Sequence, residues 1–95
     1  MALLGKWPKQ PHEQIAYPID FTDWMAENPG DTIDTYTVVA DAGISVVTHA
    51  RVGNIITVVM GGGTNGTTYK VTVTINTTPG PLIKEAEFYV KVKEI

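Results

Sequence analysis

The chain has 95 residues, 43% of them apolar and 18% charged, with a net charge of −3 and no cysteine. This is a globular composition of one-domain length, and the lack of cysteine excludes a disulfide framework, a thiolate metal cluster and a cysteine nucleophile. The seven Lys and Arg residues are scattered along the sequence instead of clustered as phosphate binding requires, so no nucleic-acid partner is expected.

Residues 1–14 contain Pro8 and Pro11 and little apolar periodicity. Proline fixes φ and removes a donor, so this stretch is predicted to be an extended N-terminal arm outside any central strand. A frayed terminus is the plainer reading. A docking arm is the sharper one, because Leu3, Leu4 and Trp7 are large apolar groups in a segment with no core of its own. Those three, with Pro8, are the candidate partner contacts. The apolar run Met1–Leu4 is ended by Gly5, Lys6, Trp7 and Pro8. It is too short for an export signal or a spanning helix, and no membrane partner is expected.

Ile15–Phe21 alternates with Pro18 inside it, which suggests an edge strand. Thr22 is placed to cap a helical turn over Asp23–Glu27, with Trp24 as a core or lid residue. Asn28-Pro29-Gly30-Asp31 is a strong turn signal. Strands are then predicted over Thr32–Ala40, Ile44–Ala50 and Ile55–Met60, broken at Asp41-Ala42-Gly43 and Val52-Gly53-Asn54. Ile55–Met60 is a continuous apolar run suited to the middle of a sheet. Tyr69, Val71, Val73 and Ile75 alternate with polar residues, as do Ala86, Phe88, Val90 and Val92 after the turn Thr78-Pro79-Gly80-Pro81. These two strands should be antiparallel neighbours facing one core. Regular turn signals without a long helix predict an all-β fold, an immunoglobulin-like antiparallel β-sandwich over 15–95 preceded by the 1–14 arm.

Gly61-Gly62-Gly63-Thr64-Asn65-Gly66 matches the dinucleotide fingerprint literally. That motif must open a helix whose amides receive a pyrophosphate, whereas a strand pattern follows here, so the glycines read as a turn and no cofactor is expected. Gly66 followed by Tyr69 at a strand start suits a tyrosine corner, in which the phenol locks a crossover between sheets. Tyr69, Gly66 and Trp24 are therefore assigned structural roles. His12 and His49 have no companion ligands, and Asp20, Asp23 and Asp31 match no calcium loop, so capping and turn roles are expected and no metal. Ser45, the one serine, has no nucleophile elbow around it, and no catalytic residue is assigned.

Three blocks carry a resemblance: Leu4-Gly5-Lys6-Trp7-Pro8-Lys9; then Tyr17, Ile19-Asp20-Phe21 to Trp24 and Gly30-Asp31-Thr32-Ile33; then Gly61–Thr64, Gly66, Tyr69–Thr72, Thr77–Gly80 and Phe88–Val92. Together they resemble the phage fibre-tail adaptors, small virion proteins of about this length. The chain departs from that pattern at Phe21, where the family often has tryptophan.

The resemblance implies a non-enzymatic structural protein that joins tail or neck to fibres. Its partners would be other virion proteins, and it would be present in several symmetric copies such as a homo-oligomeric ring. It also implies folding in the bacterial cytoplasm before assembly into the virion. Head decoration is an alternative the same fold would serve. A carbohydrate- or host-surface-binding module is another, with Tyr36 or Tyr89 on outward faces as its only hint.

Overall fold

The computed structural model describes residues 2–94, with side chains from Gly5 onward. Seven strands occur among them: β1 (Ala2–Lys9), β2 (Ile15–Asp20), β3 (Thr32–Ala40), β4 (Ile44–Val52), β5 (Ile55–Gly62), β6 (Thr68–Thr78) and β7 (Ile83–Val92). One helical turn, α1 (Thr22–Ala26), joins β2 to β3. One sheet has the order β1-β7-β6-β3 and the other β2-β5-β4. This is an immunoglobulin-like sandwich, because the chain repeatedly switches sheets between consecutive strands.

The core follows from the period-two pattern. Antiparallel register pairs Tyr69 with Val90, Val71 with Phe88 and Val73 with Ala86, and all six side chains are buried. Ile56, Val58 and Met60 meet them from β5, which is the centre of its sheet as the unbroken apolar run suggests. Pro18 lies on β2, an edge strand, and is exposed, so its missing N–H costs no ladder bond.

The stretch expected as an arm is extended, but from Ala2 to Lys9 it is built into the sheet. β1 pairs in parallel with β7, from Ala2 opposite Ala86 to Lys9 opposite Val92. A register shift between Leu3 and Lys6 accommodates Gly5, whose φ of 136° favours glycine. Pro8 is tolerated because β1 is an edge. No local alternation marks such a strand, since its partner lies at the other end of the chain.

Two smaller expectations are also corrected. Thr22 does not cap α1: it is the first helical residue, and Phe21 occupies the cap without a side-chain bond. The Asp20 carboxylate receives the Thr22 N–H at 2.8 Å and the Thr22 hydroxyl as well. β4 runs on to Val52, which places His49 within the strand instead of near its end. Beyond Val46, β4 is exposed on both faces.

Candidate docking surfaces

The β1 side of the sandwich is closed by aromatic stacking. The Trp7 indole lies 5.3 Å from the Tyr17 ring at 15° and 4.9 Å from the Phe88 ring at 30°. Trp7 is half-buried and packs against the core. Pro8 is exposed. Leu3 and Leu4 lie in β1 by their backbone, and their side chains fall outside the described residues.

Beside this stack, Lys9 is only 2% exposed. Its ammonium donates to the carbonyls of Gly62 at 2.6 Å, Gln10 at 2.7 Å and Pro11 at 3.3 Å. Burial pushes the Lys9 pKa down, and the charge of Glu13 opposes that in part. The Tyr17 hydroxyl donates to the Pro8 carbonyl at 3.2 Å. Burial first, and Glu13 second, push the Tyr17 phenol up to about 12. Sequence reasoning missed Lys9, because nothing local distinguishes a caged lysine from a solvated one.

At the same end of the sandwich, Gly62, Gly63 and Gly66 take φ values of 74°, 96° and 88°. The Thr64 N–H donates to the Tyr69 hydroxyl at 2.9 Å, so the phenol is the acceptor that pins the turn. Hydrogen bonding from Thr64, side chain first and then N–H, holds the Tyr69 phenol below its ordinary value. The Gly66 N–H donates to the Val92 carbonyl at 2.8 Å. Two amides of the glycine run are thus engaged internally, and β6 follows directly, not a helix.

The opposite end is different in character. The Phe21 N–H donates to the Asn54 carbonyl at 2.8 Å, and the Thr77 hydroxyl donates to the Asp31 carboxylate at 3.0 Å. The first bond ties the start of α1 to the β4–β5 turn, and the second ties the end of β6 to the loop before β3. A cleft of about 280 Å³ lies between α1, the end of β2 and the start of β7, lined in part by Phe21, Trp24, Asp20, Asp23, Glu27 and Lys84. Trp24 is half-buried, and the Lys84 ammonium stands 5.9 Å from the centre of its ring. Hydrogen bonds from Thr22 hold the Asp20 carboxyl below its ordinary value. Asp20 and Asp31 thus serve the local backbone and turn, while Asp23 is exposed.

Tyr36 lies opposite Ile75 and is half-buried; its hydroxyl shares a 2.7 Å hydrogen bond with His49 Nδ1. The two rings meet edge-on at 5.3 Å and link β3 to β4, the edges of opposite sheets. Tyr36 is therefore engaged between the sheets, not free on an outward face. No group of three or more His, Cys, Asp or Glu among the described residues could hold a metal ion.

The chain offers surfaces and edges for contact. A family model described as Podophage GP4 fiber-tail adaptor protein gp77 matches residues 9–91. That span runs from the caged Lys9 to the penultimate residue of β7. No curated protein matches the chain.

Proposed function

This chain belongs to the podophage GP4 fiber-tail adaptor family, and we propose that it joins the tail of the virion to its fibres purely by protein–protein contact. The family match carries this reading. Its support in the fold is a rod of 45 × 21 × 19 Å whose two ends differ in shape and charge, as an element with two different neighbours requires. The contacts proposed are surface burial and addition to the open strand edges of β3 and β4. Several symmetric copies per particle follow from a position on a tail with rotational symmetry.

The test is to disrupt the gene in the phage or prophage that encodes it and to examine purified particles by mass spectrometry and electron microscopy. Particles that keep head and tail but lose fibres are expected. In the intact phage the chain should stand in a ring-like ratio to the portal protein. Hundreds of copies per particle would mean head decoration, and absence from particles would end the virion reading.

A further inference from the structure

We infer that the α1 end of the sandwich is a docking face for a short basic segment of a partner protein, an arginine or lysine of which enters the cleft beside Trp24. The inference rests on the adaptor reading above and names the chemistry of one of its contacts.

Folding sorts charges that the sequence leaves mixed. Asp20, Asp23, Glu27, Asp31, Asp34 and Glu85 fall in the half of the rod that carries α1, with Arg51 and Lys84 as the only basic side chains there among the described residues. Six carboxylates against two cations leave that half at −4, and the remaining half at +1, which together make the net −3. Field lines from such an end favour a cationic partner during approach.

The same end also holds most of the stranded apolar surface. Of the large apolar side chains left exposed among the described residues, Val52 at 78%, Ile83 at 70%, Ile55 and Leu82 lie around it. Exposed apolar side chains beside exposed carboxylates offer a partner segment both an anchor and a charge. Within the cleft, an indole face and three carboxylates on Asp20, Asp23 and Glu27 form a receptor for a guanidinium. The planar cation can stack on the ring and donate to the acids at once. Lys84 already rests near that ring, so the site accepts positive charge.

The cleft decides what kind of occupant fits. At about 280 Å³ it admits a side chain, not a folded surface, and so suits a segment that lays a few residues across this end.

The experiment uses the full-length chain, isotope-labelled and titrated at low salt with the blocked tripeptide Ac-Leu-Arg-Leu-NH2, with Ac-Leu-Glu-Leu-NH2 as control. The Arg peptide should shift the Trp24 indole signal and the amides of residues 20–27 and Lys84, leaving the Trp7 indole in place. The double substitution Asp23→Asn/Glu27→Gln should weaken it about tenfold without changing the melting curve. No shift up to the solubility limit, an equal response to the Glu peptide, or a response indifferent to the double substitution would overturn the inference. Self-association in sedimentation that the double substitution abolishes would also overturn it, by assigning the end to another copy of the chain. Peptide binding that survives while the chain proves absent from particles would remove the adaptor reading alone.

Discussion

The ammonium of Lys9 lies 2.6 Å from the carbonyl oxygen of Gly62, so the last residue of β1 in one sheet is tied to the end of β5 in the other. Lys9→Met keeps the length of the stem and removes that tie. A loss of roughly 1.5–3 kcal/mol in urea unfolding is expected, the net worth of a hydrogen bond from a charged group. The effect has a pH signature. Lys9 is held below its ordinary 10.5 in the fold, so between the lowered value and 10.5 the unfolded chain binds the proton more strongly. Stability then rises with pH across that window, and the rise should vanish in Lys9→Met. An unchanged pH profile in the variant would show that the cage does not perturb this amine.

Trp7→Ala should lower stability, by about 2–3 kcal/mol. The estimate sits below that for a fully buried indole because Trp7 is only half-buried. The indole stacks on both Tyr17 and Phe88, so truncation uncovers Phe88, which is otherwise fully buried. Trp7→Phe should recover most of the loss. A melting curve indifferent to Trp7→Ala would return this residue to the role of an unsupported arm.

These two residues mark where the sequence was legible and where it was not. β6 and β7 could be read in full because each alternates over a long run and the turn between them is dense in proline and glycine. β1 could not, since Gly5 and Pro8 interrupt it and its parallel partner is encoded some eighty residues later. Lys9 looks like any solvated lysine until the fold brings Gly62 to it. Charge sorting was hidden for the same reason: Lys6, Lys70, Lys91 and Lys93 are distant in sequence, and the sandwich puts all four in the half away from α1. The bond from the Thr64 N–H to the Tyr69 phenol, by contrast, joins parts that are local, five residues apart in the sequence.

That corner gives a graded comparison between glycines. Gly66 has φ of 88° with nothing within 4 Å of a built Cβ, whereas Gly63 at 96° would place one 2.6 Å from Val92 Cγ2. Gly66→Ala carries backbone strain alone, about 1–2 kcal/mol. Gly63→Ala adds a clash with a buried valine and should cost clearly more in the same urea series. Equal losses would mean that Val92 yields without penalty. Tyr69→Phe, which leaves the Thr64 N–H without its acceptor, should lower the urea midpoint in the same series.

Tyr17 offers a prediction in the opposite pH direction from Lys9. Its phenol is buried beside Trp7 and Phe88 and donates to the Pro8 carbonyl, a role only the protonated form can play. The nearby Glu13 carboxylate opposes a second negative charge, and the phenol is pushed from 10.0 to about 12. An acid whose folded value is raised contributes stability that is complete below its unfolded pKa. Between pH 10.0 and about 12 the unfolded chain has released this proton and the folded one has not, so stability falls as pH rises. Tyrosinate absorbance should therefore show one of the four phenols titrating late. Tyr17→Phe should delete that late step and flatten the fall in stability. Persistence of the late step in Tyr17→Phe would assign it to another tyrosine and leave the Trp7–Tyr17–Phe88 stack without an alkaline signature.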